Sequence, residues 1–178
     1  QMALREFKGE GIYDGYPIVK AKVSHVDYLQ NNLRDADVRE CIIHGATPFR
    51  ALMAGIREPN GESYTVMVDK KPALMFGCNP IYSNMIGKIW ALGTYDIEKI
   101  QRKFLKWCNP VVDYYQKQYY QLENVVPADH ANTLSWLDFV GFEILDPPVM
   151  INGFAVLRFV RCKGEEILVN KEYSPVVS

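Results

Sequence analysis

The stretch from Gly87 to Phe142 restricts this chain to few folds. It opens with Gly87-Lys88-Ile89-Trp90-Ala91-Leu92-Gly93-Thr94, an apolar run of strand length that ends in a glycine turn. A long segment of helical period follows. Ile97, Ile100, Phe104, Trp107 and Cys108 fall on one face, and Lys99, Arg102, Lys103 and Lys106 on the other. Leu122 to Val126 reads as a buried strand, and Asp129 as the cap of a helix over Ala131 to Val140. Gly141 suits the left-handed position that ends a helix, after which Phe142 packs back. Strand, helix, strand and helix in this order predict a parallel strand pair, because parallel pairing needs a helix-length crossover. Pro110 lacks a backbone donor and clashes with the preceding turn, which predicts a bend or break near it.

The residues before this unit read as an antiparallel meander with helices packed on it. Residues 1–16, with Gly9, Gly11 and Gly15, read as an extended arm. Ile18 to Val23 is a candidate strand, and Ser24 a candidate cap for a helix over His25 to Leu33. Asp35 or Asp37 caps a further helix to Ile43, stopped at Gly45. Thr47-Pro48 starts another, with Phe49, Leu52, Met53 and Ile56 expected on its buried stripe. Ser63–Val68 and Pro72–Cys78 read as a hairpin turning at Asp69-Lys70-Lys71, and Asn79–Asn84 as a loop. Asn152-Gly153 is a strong hairpin signal between Val149–Ile151 and Phe154–Arg161, with Asp146-Pro147-Pro148 interrupting the first strand. The domain is expected to span 17–163, with a tail over 164–178.

Composition excludes several classes. Apolar residues make up 48% of the 178, enough for a core. The net charge of -1 argues against a duplex-binding protein, which would carry a basic surplus. No run approaches the ~18 apolar residues of a membrane span, and Gln1-Met2-Ala3-Leu4-Arg5 shows no signal-peptide pattern. Cys41, Cys78, Cys108 and Cys162 form no CxxC pair, so they read as free thiols and no metal site is expected. Tyr114, Tyr115, Tyr119 and Tyr120 are too dense to share one buried stripe. They read either as the wet edge of the core or as a contact with another chain.

The element order resembles the GCN5-related N-acetyltransferase fold, GNAT. That implies an α+β architecture: a mixed, mostly antiparallel sheet flanked by helices. Leu33-Arg34-Asp35-Ala36-Asp37-Val38-Arg39-Glu40, Pro72-Ala73-Leu74-Met75-Phe76-Gly77, Trp90-Ala91-Leu92-Gly93-Thr94, Leu122-Glu123-Asn124-Val125-Val126 and Trp136-Leu137-Asp138-Phe139-Val140-Gly141-Phe142 look like the GNAT-like proteins of tailed phages. That narrower resemblance implies a bacteriophage virion or assembly component, located in the virion or the host cytoplasm. Its partners would be other virion proteins or further copies of itself, with the arm, the tail and at least two of the four tyrosines at the contact.

The family resemblance also implies a place for acetyl-CoA. The backbone of Ala91, Leu92, Gly93 and Thr94 would pair with the pantetheine arm, and Asn124 would bridge the splay between the two parallel strands. Active members carry a Q/R-x-x-G-x-G/A turn for the pyrophosphate; here the turn is Gly93-Thr94-Tyr95-Asp96-Ile97-Glu98, with one glycine and two carboxylates. Leu137 stands where active members often have a tyrosine acid, and His130 where they usually have asparagine. Asp37 and Glu40, three apart on one helix face, are the carboxylates nearest the expected acceptor side. His130 is the candidate acid–base group, given its near-neutral titration. Three functions stay open at this level: a structural component without a bound cofactor, an acetyl-CoA-dependent N-acyltransferase acting on an amine, and a binding module.

Overall fold

A computed structural model describes residues 4–81 and 84–168. Residues 1–3 of the expected arm, 82–83 of the expected loop and the tail beyond 168 lie outside the described residues. The described residues form eight strands: β1 Gly11–Tyr13, β2 Tyr16–Lys20, β3 Glu62–Val68, β4 Lys71–Ile81, β5 Ile86–Gly93, β6 Gln121–Pro127, β7 Glu143–Ile151 and β8 Phe154–Cys162. They make one sheet in the order β1-β2-β3-β4-β5-β6-β8-β7. Every described pairing is antiparallel except β5 with β6, as the helix-length crossover predicts.

Helices cover both faces. On one lie α1 Val23–Leu29, α2 Asp35–Ile43 and α3 Pro48–Arg57, packing Val26, Leu29, Cys41, Leu52 and Met53 on Met75 and Leu92. On the other lie α4 Gln101–Gln116 and α5 Ala131–Phe139, packing Trp107, Val112, Tyr115, Leu137 and Val140 on Ile18, Val66, Phe76, Leu122 and Phe159. The turns follow the sequence chemistry. Thr47 accepts a hydrogen bond from the Arg50 amide, Gly45 (φ +73°) ends α2, and Asn152-Gly153 takes φ of +49° and +83°. Gly141 (φ +93°) ends α5, and the Phe142 amide bonds back to the Leu137 carbonyl at 2.9 Å.

Several expectations are corrected. Residues 4–16 are not an arm awaiting another chain. β1 pairs with β2, and Leu4 and Phe7 are buried in the domain's own core. Phe7 meets Tyr13, Tyr64, Phe76 and Tyr114 with ring centroids 5.0–5.8 Å apart. The same packing buries Tyr115 and Tyr119, while Tyr120 donates to the Glu166 carbonyl. α4 runs unbroken through Pro110, held on both sides of the proline by buried Trp107, Cys108, Val112 and Tyr115. The six residues before it, Tyr95–Ile100, form a 3-10 helix that leads straight into it. Phe49 is 44% exposed, because α3 turns Gly55 toward the sheet. A Cβ on Gly55 would lie 2.3 Å from the Trp90 ring, so the helix–strand approach is set there and Phe49 falls outside it. β4 continues to Ile81 through the expected loop, and β7 crosses the proline pair with a register shift between Leu145 and Val149. Lys22, not Ser24, stands at the N-cap of α1, and His130, not Asp129, at that of α5.

Candidate functional site

β5 is paired unequally on its two edges. Against β4 its register is continuous from Ile81↔Ile86 to Leu74↔Gly93. Against β6 it pairs only at Ile86↔Gln121, Gly87↔Leu122 and Lys88↔Glu123, and then the strands part. Asn124 holds the fork: its amide donates to the Ile89 carbonyl at 2.7 Å, and its oxygen accepts from the Val125 amide at 2.8 Å. Backbone groups along a strand point alternately to the two edges. The Ile89 carbonyl points to the β6 side, while the Thr94 amide bonds to the Ala73 carbonyl on the β4 side at 2.8 Å. The polar groups of Ala91 and Gly93 therefore face the gap, and those of Leu92 and Thr94 face β4. Leu92 is buried against α1 and α3, and Thr94 is buried as the cap of the 3-10 helix. Of the four residues expected on a pantetheine arm, the register puts Ala91 and Gly93 at the gap; Ala91 is exposed there.

α2 crosses this gap. At its start, Asp37 accepts from the Gly93 amide at 3.2 Å and from the Arg34 guanidinium at 2.7 Å, while the Arg34 amide donates to the Gly93 carbonyl at 2.9 Å. The Asp35 amide donates to the Tyr95 hydroxyl at 3.2 Å, and Arg34 also lies 3.9 Å from Glu98. At its end, Ile43 packs on Val125 of β6 and Val149 and Val156 of the last hairpin, and its carbonyl accepts from Asn152. Arg39 pairs with Asp129 at 3.3 Å, beside the N-terminus of α5. Glu40 sits between these anchors and is half-buried.

Burial governs the titration of this helix. It pushes the Glu40 carboxyl up to about 8, helped by the negative charge of Asp37 and opposed by Arg34. Burial also raises Asp37, against the pull of Arg34 and the Gly93 amide. His44, just past α2, is pushed down to about 4 by burial and by the charge of Lys88. The structure thus brings Asp37 to the gap with Ala91, Gly93 and Asn124, while Glu40 lies one turn further along α2, within the electrostatic reach of Asp37 and Arg34. His130 is placed differently: its Nδ1 is paired with the Thr133 hydroxyl in the first turn of its own helix. Arg34 was not singled out in the sequence; its one visible signal is the opposite charge three residues on, at Asp37. Buried Glu123, the register partner of Lys88 and a hydrogen-bond acceptor from Gln121, was likewise hidden inside an apolar-looking strand.

The residues fit part of an acyl-CoA donor. The Ala91 edge offers the N–H and C=O that an amide-bearing pantetheine arm pairs with. The expected pyrophosphate turn does not fit, because its amides at Gly93, Thr94, Asp96 and Ile97 are already bonded to Asp37, the Ala73 carbonyl, the Thr94 hydroxyl and the Thr94 carbonyl. Among the described residues there is no cluster of metal-ligating side chains, and no helix is long and apolar enough to cross a membrane. Burial raises the thiols of Cys41, Cys78 and Cys108, to about 11 for Cys41 and about 12 for Cys108.

No protein-family model and no curated protein sequence matches the chain. Solved structures do. RimL, a ribosomal L7/L12 alpha-N-protein acetyltransferase in complex with coenzyme A, matches with a TM-score of 0.60 and 13% identity over 87% of this chain and 98% of its own. The Vibrio cholerae spermidine N-acetyltransferase in complex with CoA and spermine matches at 0.61 and 13%, over 83% and 95%. The microcin C7 self-immunity acetyltransferase MccE, in complex with acetyl-CoA and AMP, matches at 0.61 and 10%, over 86% and 96%. At these identities the likeness is one of fold, and the strand order with its forked parallel pair β5–β6 agrees with it: the chain has the GNAT acetyltransferase fold.

Proposed function

We propose that the protein is an N-acyltransferase that moves an acyl group from a thioester donor to an amine. The observation that carries this reading is the fork between β5 and β6, propped by Asn124, which leaves the Ala91 backbone open to an extended donor arm. An arm lying there is gripped as an added strand, by main-chain hydrogen bonds. In the transfer the amine nitrogen forms a bond to the thioester carbonyl carbon, the C–S bond breaks, the departing sulfur takes up a proton, and the amine gives one up. In this reading Glu40 accepts that proton. Its titration near 8 lies close to working pH, where a general base is most effective, and it is half-buried on the helix that spans the gap. Asp37 raises the basicity of Glu40 through its charge. Calorimetry with acetyl-pantetheine and acetyl-CoA, followed by a thiol-release assay with simple diamines, tests the reading. Binding of neither donor at millimolar concentration ends it.

A second reading keeps the scaffold without the transfer: a structural or assembly component, in a phage virion by the sequence resemblance. The bonded amides of Gly93, Thr94, Asp96 and Ile97 favour it. It is tested by looking for the chain in purified particles and for lack of donor turnover.

A further inference from the structure

Resting on the N-acyltransferase reading, we propose that the donor is a pantetheine thioester without a diphosphate at the β5 turn, and that Asp37 is the residue that imposes this choice. A diphosphate is normally held by several free backbone amides at a helix N-terminus, with no competing anion. Here four of the turn's amides are used within the chain. Gly93 donates to Asp37 at 3.2 Å, Thr94 to the Ala73 carbonyl at 2.8 Å, Asp96 to the Thr94 hydroxyl at 3.2 Å and Ile97 to the Thr94 carbonyl at 3.3 Å. The single glycine has a packing reason instead of a ligand reason: a Cβ on Gly93 would lie 2.7 Å from Leu74 Cδ1.

The charges agree with the geometry. Asp37 occupies the anion position on the Gly93 amide, and Asp96 and Glu98 flank the same turn. The nearby cation, Arg34, is shared between Asp37 at 2.7 Å and Glu98 at 3.9 Å, and Lys99 is held by Asp96 at 2.9 Å. A diphosphate arriving here meets like charge and finds no open donor at those four amides. One register step back along β5, Ala91 is exposed and its polar groups face the gap. The edge is open to the amide-bearing part of the donor and closed to the part that makes coenzyme A a nucleotide. Asp37 is central because it is both the anion on Gly93 and the partner that neutralises Arg34. With asparagine at 37, the negative charge at Gly93 is gone and Arg34 is freed for a phosphate.

The experiment compares acetyl-CoA with acetyl-pantetheine by calorimetry, on the wild type and on Asp37→Asn. The wild type is expected to bind the two donors within threefold of each other. Asp37→Asn is expected to bind acetyl-CoA at least tenfold tighter than the wild type does, with acetyl-pantetheine changed less than threefold. A wild type that prefers acetyl-CoA by tenfold or more overturns the inference and leaves the N-acyltransferase reading standing. So does an Asp37→Asn protein whose two affinities move together or not at all. A wild type that binds neither donor removes both readings. Should Asp37→Asn fail to fold, Glu98→Gln on the exposed side of the turn serves: a gain of threefold or more for acetyl-CoA alone supports the inference, and no gain overturns it. An arm with an acetylated phosphopantetheine carrier protein separates the two sources of such a donor. Tighter binding than acetyl-pantetheine supports a protein-borne thioester, equal binding supports a small one, and both support the diphosphate-free class.

Discussion

The two edges of β5 differ although they belong to the same eight residues. On the β4 side every residue from Ile86 to Gly93 has a partner, and the neighbouring layers hold closely packed rings around Phe7, Tyr64, Phe76 and Tyr115. On the β6 side pairing stops at Lys88, and the groups beyond it are met by an asparagine, by an acidic helix or by the open gap. Satisfied backbone on one edge gives the strand a fixed line. Unsatisfied backbone on the other gives it something to offer. A ligand that needs main-chain hydrogen bonds can obtain them on the second edge without breaking the sheet.

The largest expected effect separates the edges by chemistry. Glu40→Gln should lower the acyl-transfer rate by about 10²–10⁴, the usual worth of a general base. The rise in rate through pH 8 should vanish with it. A thiol-release assay from pH 6 to 10 measures both, and a variant within threefold of the wild type sinks the role. Next is Phe7→Ala, which empties a cluster belonging to the fully paired side. It should cost about 3–5 kcal/mol, read as a melting-temperature drop on the order of ten degrees, with donor affinity unchanged in the folded protein. Equal loss of stability and affinity would mean that the two edges are not independent.

Glu40 makes a third test, on stability. Its folded titration point is raised above the ordinary carboxylate value, so the folded chain keeps a proton that the unfolded chain releases. Stability should therefore fall as pH rises from roughly 4.5 to 8. Glu40→Gln escapes that loss. After allowance for its partial exposure, the variant should be about 2 kcal/mol more stable than the wild type at pH 8, and equal to it at pH 4. Parallel melting curves at both pH values would refute the buried-acid account.

Two smaller effects probe the fork itself. Ala91→Pro removes the N–H that faces the gap without touching a bond to β4. Donor affinity should fall about tenfold, near 1.4 kcal/mol, with a melting temperature within a few degrees of the wild type. A large stability loss instead would show that Ala91 is bonded within the fold. Asn124→Ala deletes the prop to Ile89 and should cost about 1 kcal/mol. Slower amide exchange at Ile89 and Ala91 in that variant would show that the strands close when the prop is lost, and unchanged exchange would show that the fork has another cause.

Much of this was legible in the residues. Thr47-Pro48, Gly45, Gly141 and Asn152-Gly153 act through local backbone preferences, so they read correctly without neighbours. The crossover length between β5 and β6 required a parallel pair, and Asn124 was visible as a group for the splay. Asp37 and Glu40 could be seen to share a helix face. Other features depend on which surfaces meet. Pro110 sits inside an unbroken helix because buried residues on both sides hold it there, an effect larger than a local clash. Phe49 is exposed because Gly55 and Trp90 set the approach of α3. Residues 4–16 looked unattached because the aromatic ring cluster that receives Phe7 comes from β3, β4 and α4, far apart in the chain. Sequence by itself determined most of the elements, their order and the parallel pairing of β5 with β6, since periodicity and turn chemistry are local, though not β1 or the 3-10 helix. Only the tertiary structure decided that Asp37 and Arg34 close the turn at Gly93 while Ala91 stays open, because those contacts join residues 56 and more apart and depend on where α2 lies across the sheet.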